Sequence, residues 1–280
     1  MTRWTRCIAL VLSCLLAPLA AHAADAPAPL VLGVFPYVTP VQLAQFHTPL
    51  KDYLAQRLNR PVTLVTAPDF MSFIERTREG QYDLILTAPH MGRLAETRDG
   101  YQRVAQTGHT VQSIFLTRKD SGIEKIEDLR GKRVMIAQKI SIIYQMSEQL
   151  LREKGLVPGE SVTLVETRTH NNAMHAPLRG EADASVTGTL LWRVLEDEQK
   201  KQLRVIGTTQ EMPGFMLMAH RRLAATDVAK IRGLLLDFHK VPGSETYFAT
   251  TGYERFKLID ERVMRAMDPF TAILTRPAGP

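Results

Sequence analysis

The sequence predicts an α/β fold of two lobes, each a mostly parallel sheet flanked by helices, joined by a hinge of two segments. An internal repeat is the main observation: VTLV occurs at 62–65 and at 162–165, and the pattern Gly-x-x-Asp-x-x-x-Thr begins at Gly80 and at Gly180. Both matches share an offset of 100 residues. Helical patterns alternate with apolar strand patterns around each copy, which is typical of parallel sheets with crossover helices. The repeat therefore predicts two βαβαβ lobes.

In the first lobe, apolar segments predict three strands, and amphipathic segments between them predict two helices. The predicted strands are 30–35, 62–67 and 82–88, and the predicted helices are 41–58 and 70–78. Pro49 lies inside the first helix. Because proline cannot donate the hydrogen bond of a helix interior, we expect it to kink or restart that helix.

The second lobe repeats the pattern, and two further segments connect the lobes. Its predicted strands are 133–137, 162–166 and 182–187, and its predicted helices are 142–154 and 171–179. The connecting segments are 111–119 and 205–220, and later helices at 227–239 and 261–274 are expected to pack back on the first lobe. These segments place 24–112 and 216–280 in lobe one and 113–215 in lobe two. Two crossings predict a hinge with a cleft beside it.

The first residues predict an export signal. Two arginines precede an apolar run that ends in the small-residue pattern 21–23, so we expect cleavage after about Ala23 and a periplasmic mature chain. The alternative is a membrane anchor, but the run from Cys7 to Ala21 is short for a bilayer span of ~20 residues. Cys7 and Cys14 both lie in this segment, so the mature chain is expected to have no thiol for a disulfide, a metal or nucleophilic catalysis.

The charge pattern argues against nucleic acid as a partner. The formal net charge is +6, and it falls to +4 when Arg3 and Arg6 leave with the signal. The basic residues are scattered, and aromatic residues make up 7% of the chain without forming a stacking platform. No later segment is apolar enough to predict a membrane span.

Candidate ligand contacts follow from the rule that solutes bind beyond the carboxyl ends of the strands. The candidates are polar side chains at those positions: Tyr37, Thr39, Thr87, His90, Ser141, Tyr144, His170 and Thr187. Each has a simpler alternative. The hydroxyl residues could be helix N-caps, the tyrosines could be core residues, and His90 could lie on the surface. His175 follows His170 by five residues, so the i, i+4 spacing of a helical metal pair is not formed.

Several segments, in this order, resemble a known family. They are GVFPYVTP, GQYDLILTAPH, SIFLTRKDSGIEKIEDLRGKRVMIA and HNNAMHAPLRGEADASVTG. The chain resembles the periplasmic substrate-binding proteins of phosphate, phosphite and phosphonate ABC importers, over nearly all of its mature length. The resemblance implies the type II periplasmic binding fold and a monomer that closes two lobes on a small ligand, without a cofactor. It also implies an importer permease as partner.

The resemblance implies specific ligand contacts, and this chain departs from some of them. In the family, a Ser-Thr-Ser-Gly turn at the start of the second-lobe helix holds the phosphonyl oxygens. The matching positions here are Ile140, Ser141, Ile142 and Ile143. Phe215 stands where the return strand usually carries an acidic residue. His170 matches the family's ligand histidine, and Tyr37 matches its aromatic contact. We therefore hypothesise an oxyanion such as a phosphonate or a related, more apolar compound.

Three other functions compete with an importer component. A periplasmic sensor or adaptor on the same fold would use lobe closure to signal to a membrane receptor. An enzyme has little support, since the mature chain has no cysteine and no nucleophile elbow, P-loop or His-Glu-x-x-His motif. A ferric-ion binder would draw on Tyr37, Tyr144 and His170. The sequence favours the importer component and predicts no metal site.

Overall fold

A computed structural model describes residues 28–275 of the chain. The predicted export signal lies outside these residues. In chain order the strands are β1 Leu30–Val34, β2 Val62–Val65, β3 Leu84–Thr87, β4 Tyr101–Thr107, β5 Thr110–Val111, β6 Ser113–Arg118, β7 Arg133–Ala137, β8 Thr163–Thr167, β9 Ala184–Gly188, β10 Leu203–Thr208, β11 Met212–Pro213, β12 Met216–His220 and β13 Phe256–Lys257. The helices are α1 Pro40–Leu58, α2 Phe70–Arg78, α3 Pro89–Thr97, α4 Ile142–Glu153, α5 His170–His175, α6 Thr189–Val194, α7 Asp197–Gln202, α8 Ala225–Asp237, α9 Ser244–Thr251 and α10 Glu261–Arg265.

Two mixed sheets confirm the α/β prediction. The first has the strand order β13-β4-β12-β3-β1-β2, and the second has the order β10-β6-β9-β7-β8. In each sheet the three strands of one βαβαβ unit are parallel, β1 with β2 and β3, and β7 with β8 and β9. An antiparallel strand then joins the outer side of the unit, β12 against β3 and β6 against β9. Each of these strands enters its sheet directly after the chain has crossed from the other sheet.

The chain passes between the two sheets at two paired segments. β5 and β11 form a short antiparallel ribbon in which Val111 pairs with Met212 and Thr110 with Pro213. β5 leads directly into β6 of the second sheet, and β11 leads into β12 of the first. Two adjacent crossings are the arrangement that permits hinge motion between lobes.

The internal repeat has a shared structural cause. The carboxylate of Asp83 accepts a hydrogen bond of 2.8 Å from the backbone N–H of Val31, where β1 begins. At the same place in the second lobe, the carboxylate of Asp183 accepts one of 2.8 Å from the N–H of Arg133, where β7 begins. The glycine three residues before each aspartate has a positive φ, 67° and 72°, which favours glycine. The repeated residues therefore form the same turn and fasten the third strand of each unit to the first.

The predicted helix boundaries are correct in some places and wrong in others. α2 matches its prediction, and α1 continues through Pro49 without restarting. The helix predicted at 171–179 ends at His175, two residues before Pro177, and the helix predicted at 261–274 ends at Arg265 and gives way to short 3₁₀ turns around Pro269. Proline removes a backbone donor and disfavours helical geometry before it, which explains both errors.

The sequence prediction missed the segment from α3 to β4, which completes the first sheet. β4 lies between β12 and β13 and is mostly buried. Its sequence, YQRVAQT, carries polar residues that hide the strand pattern. No helix within residues 28–275 is long and apolar enough to cross a membrane.

Candidate functional site

A small apolar pocket lies where the two sheets and the hinge meet. Its volume is about 30 Å³, which is room for one or two water molecules. It is lined by Phe35, Tyr37, Val111, Ile143, His170, Gly188, Thr189, Leu190, Leu191 and Phe215. The first two follow β1 in lobe one, Val111 and Phe215 belong to the hinge region, and the others lie in lobe two. The pocket therefore lies at the carboxyl ends of the strands, where the sequence placed the ligand.

Three aromatic rings form one wall of the pocket. Phe35 stacks on Tyr37 with ring centroids 5.0 Å apart, and Phe215 packs edge-on against Phe35 at 4.8 Å and against Tyr37 at 5.2 Å. Because the three rings pack against one another, they form a continuous aromatic surface along the pocket. Phe215 occupies the position for which the resemblance implies an acidic residue.

The hydroxyl of Tyr37 contacts two other buried side chains. It lies 3.0 Å from Nε2 of His47 and 3.2 Å from the hydroxyl of Tyr253. Burial raises the pKa of Tyr37 and lowers that of His47 to about 3, so both stay neutral at pH 7. Tyr37 thus offers the pocket its ring, while its hydroxyl holds together a buried cluster of tyrosine and histidine.

His170 is the polar residue of the pocket. It is 8% exposed, and its Nδ1 has no hydrogen-bond partner among the described residues. Its Nε2 lies 3.4 Å from the hydroxyl of Ser141, and burial lowers the pKa of His170 to about 4. Its ring also lies 6.0 Å from that of Phe70, which belongs to lobe one. His170 is therefore a neutral imidazole that lines the pocket and whose buried Nδ1 has no hydrogen-bond partner among the described residues.

Two of the predicted contacts hold the surroundings of His170 in place. Ser141 is buried and caps α4 by accepting from the N–H of Tyr144 at 3.4 Å. Thr187 is buried and donates its hydroxyl to the carbonyl of His170 at 3.3 Å. Both residues act through protein contacts, and neither is among the pocket-lining residues.

His90 joins the two lobes. Its Nε2 donates to the backbone carbonyl of Ile140 at 2.8 Å, across the cleft from the start of α3 to the turn before α4. His90 is completely buried, not a surface residue, and burial lowers its pKa to about 4. Neutral His90 therefore contributes a hydrogen bond across the cleft.

Three predicted contacts lie away from the pocket lining. Thr39 forms a capping box with Gln42 at the start of α1. Thr87 lines a separate small cavity between its sheet and helices α2 and α3. Tyr144 is buried in α4, where burial together with the nearby carboxylates of Glu148 and Glu166 raises its pKa to about 12. Of the eight predicted residues, the structure thus brings Tyr37 and His170 to the pocket.

Sequence reasoning missed most of the apolar wall. Phe35 directly follows β1, and Leu190 and Leu191 lie in the first turn of α6, so all three resemble ordinary core residues in the sequence. Their position after a strand was the available signal. A larger cavity of about 610 Å³ lies outside the pocket, between α1 and α9 on lobe one and α5 to α7 on lobe two. Leu191 lines both cavities.

Replacing His90 by phenylalanine is expected to shift the lobes towards an open arrangement. The change removes the hydrogen bond to Ile140, worth about 1 kcal/mol, which corresponds to roughly a fivefold change in the closed-to-open ratio. Small-angle X-ray scattering would detect the larger radius of gyration. His239→Phe, at an exposed position after α8, is the control. Equal radii for the two variants would show that His90 does not hold the lobes together.

Comparisons with known proteins agree with this geometry. The family model described as ABC transporter, phosphonate, periplasmic substrate-binding protein matches residues 32–263. The phosphonates-binding periplasmic protein of Escherichia coli (strain K12) is 23% identical over 265 residues, which cover 88% of this chain and 76% of that protein.

Two solved structures share the fold. A binding protein component of an ABC phosphonate transporter from Pseudomonas aeruginosa superimposes with a TM-score of 0.78 at 17% identity, covering 88% of this chain and 87% of that one. PhnD1 from Prochlorococcus marinus (MIT 9301), in complex with methylphosphonate, has a TM-score of 0.79 at 16% identity, covering 89% and 98%. These neighbours confirm the type II periplasmic binding fold, and the family match favours the importer over the sensory alternative. The chain belongs to the family of periplasmic substrate-binding proteins of phosphonate ABC transporters.

Proposed function

We propose that this chain binds a small solute in the pocket between its two sheets and delivers it to the permease of an ABC importer, without catalysing a reaction. The observation that carries the proposal is the origin of the pocket walls, which come from lobe one, the hinge and lobe two together. A solute in such a pocket contacts both lobes at once, so it stabilises the closed arrangement relative to the open one. The family match supports the importer as the partner.

The mechanism is hinge closure. We propose residues 24–112 and 216–280 as one lobe and residues 113–215 as the other, with the β5–β11 ribbon at the hinge. A pocket of about 30 Å³ admits no solute larger than a few atoms, so entry requires the lobes to separate. We propose that the predicted export signal directs the mature chain to the periplasm and that the chain acts there as a monomer without a cofactor.

A thermal-shift screen tests the proposal. The chain from residue 24 onward would be heated with phosphate, phosphite, alkylphosphonates, sulfonates, carboxylates, ferric ion and uncharged organic solutes. A solute at 100 times its Kd stabilises by about 2.7 kcal/mol, which is a shift of a few degrees for a protein of this size. We expect at least one small solute to raise the Tm. Absence of any shift across the panel would contradict the proposal.

His170→Ala is expected to weaken binding of the solute found in this screen by about tenfold. One hydrogen bond to Nδ1 contributes about 1 to 1.5 kcal/mol, and a factor of ten corresponds to about 1.4 kcal/mol. The protein should remain folded, because His170 lies at the cleft and its Nδ1 makes no hydrogen bond within residues 28–275. Isothermal titration calorimetry measures the Kd, and circular dichroism checks the fold. A Kd equal to that of the wild type would remove His170 from the site.

A further inference from the structure

We propose that the pocket selects a small uncharged solute with an apolar or aromatic body and one hydrogen-bonding atom, which pairs with Nδ1 of His170. The inference rests on the proposed function and narrows its ligand class. It sets this chain apart from the relatives whose names specify phosphonates.

The pocket has no charged side chain to receive an anion. Among the lining residues, which all lie in the part of the chain that the structure describes, the ionisable ones are Tyr37 and His170, and both are neutral at pH 7. Arg193 lies in the outer cavity, with a guanidinium nitrogen 3.9 Å from a carboxylate oxygen of Glu254. An anion buried without a cation or several donors loses its hydration without compensation, so the walls disfavour a phosphonate dianion.

The hydroxyls near the pocket already have protein partners. That of Tyr37 contacts His47 and Tyr253. That of Thr189 accepts from the N–H of Gln112 at 3.4 Å and lies 3.5 Å from the carbonyl of Thr110. The Ser141 hydroxyl caps α4 and faces His170. An oxyanion would have to break these contacts to obtain hydroxyl donors, whereas an uncharged solute leaves them intact.

Nδ1 of His170 is the polar atom near the pocket that lacks a hydrogen-bond partner among the described residues, and a solute could supply that partner. The residue is more than nine-tenths buried and lines the pocket, and its Nδ1 has no partner between residues 28 and 275. A buried polar atom without a partner is unfavourable, and a solute atom that pairs with it recovers that free energy. Burial lowers the pKa of His170 to about 4, so at pH 7 the ring offers one hydrogen bond and no positive charge.

The walls favour an apolar body on the same solute. Phe35, Tyr37 and Phe215 form an aromatic wall in lobe one and the hinge region, and Ile143, Leu190 and Leu191 face it from lobe two. As the lobes separate, these two walls move apart and leave a slot lined by hydrocarbon on both sides. A flat ring or a short branched alkyl group buries its own apolar surface there.

Matched pairs of probes test the inference. Methylphosphonate is compared with dimethyl methylphosphonate, which keeps the phosphoryl oxygen but has no charge, and benzoate is compared with benzamide. Binding is followed by calorimetry at pH 7.5 and by the fluorescence of Trp192 in α6, the tryptophan that remains after residues 1–23 are removed. We expect the uncharged member of at least one pair to bind at least tenfold more tightly than its anion, and His170→Ala to remove most of that difference.

The outcomes separate the inference from the proposed function. Tighter binding of methylphosphonate and benzoate than of their uncharged counterparts overturns the inference and leaves the solute-binding function intact. The same holds if both uncharged probes fail while any anion of the screen binds. If no compound binds, charged or uncharged, the proposed function falls as well.

Two variants of Ile143 provide a second test that does not depend on His170. Ile143→Thr and Ile143→Val leave side chains of nearly the same shape, and only threonine adds a hydroxyl to the pocket wall. We expect Ile143→Thr to bind methylphosphonate about tenfold more tightly than Ile143→Val does, because threonine adds one hydrogen-bond donor for a charged group. Equal affinities in two folded variants would show that missing donors do not exclude the anion, and would overturn the inference.

Discussion

Gly214→Ala is expected to destabilise the protein by roughly 3 kcal/mol, through overpacking beside the hinge. A Cβ at this position would lie 2.5 Å from the carbonyl oxygen of His109, 2.5 Å from Oγ1 of Thr107 and 2.6 Å from the carbonyl oxygen of Thr107. Two of these atoms are backbone, so they cannot rotate away. Thr107 is also bound to the next residue, since its N–H donates to the carbonyl of Phe215 at 2.9 Å. The strain therefore falls on the pocket wall.

Gly233→Ala is the matched control for this variant. Gly233 lies within α8, and a Cβ added there would meet no other side chain within 4 Å among the described residues. Alanine in a helix interior is favoured over glycine, so this variant should be more stable than the wild type by about 0.5 to 1 kcal/mol. Urea unfolding followed at Trp192 measures both changes. A Gly214→Ala variant as stable as the wild type would show that the backbone beside the hinge can shift to accept a Cβ with little loss in the free energy of unfolding.

The sequence predicted the architecture well because the repeat reflects a shared hydrogen bond. Asp83 and Asp183 each fasten a third strand to a first strand, and this role requires the same side chain at the same spacing. β4 lacked such a signal. Its polar residues, Gln102 and Arg103 among them, face partly outward, so its alternation does not resemble a buried strand.

The pocket was harder to predict, because residue type does not report the direction of a side chain. All four residues of β3 are buried, so the strand has no polar face from which the direction of Thr87 could be read. Thr39 and Ser141 precede helices, where capping takes their hydroxyls. Phe35 forms the pocket wall, but an aromatic residue at the end of a buried strand has the sequence signature of a core residue.

Lowering the pH from 7.5 to 5.0 is expected to destabilise the protein by several kcal/mol, because four histidines are buried in neutral form. Burial lowers the pKa of His47 and, together with the charges of Arg193 and Lys257, that of His109, each to about 3; for His90 and His170 it is about 4. Below an unfolded pKa of about 6.5, the unfolded chain takes up protons that the folded chain does not. The free energy of unfolding therefore falls as the pH drops below about 6.5. Each histidine contributes a loss of up to about 1.4 kcal/mol per pH unit, until the pH reaches its pKa in the folded protein.

His109→Phe separates this cause from general acid denaturation. The His109 ring stacks on Tyr253 at 5.1 Å and packs edge-on against Phe215 at 5.0 Å, and neither of its nitrogens has a partner within residues 28–275. Phenylalanine keeps both ring contacts and cannot be protonated, so the variant should lose about a quarter less stability between pH 7.5 and 5.0. Urea unfolding at the two pH values measures the difference, and His239→Phe, at an exposed site, should behave as the wild type. If the free energy of unfolding of His109→Phe fell with pH as much as that of the wild type, His109 would be hydrated or protonated in the folded protein. Water would then reach the buried tyrosine and histidine cluster behind Tyr37.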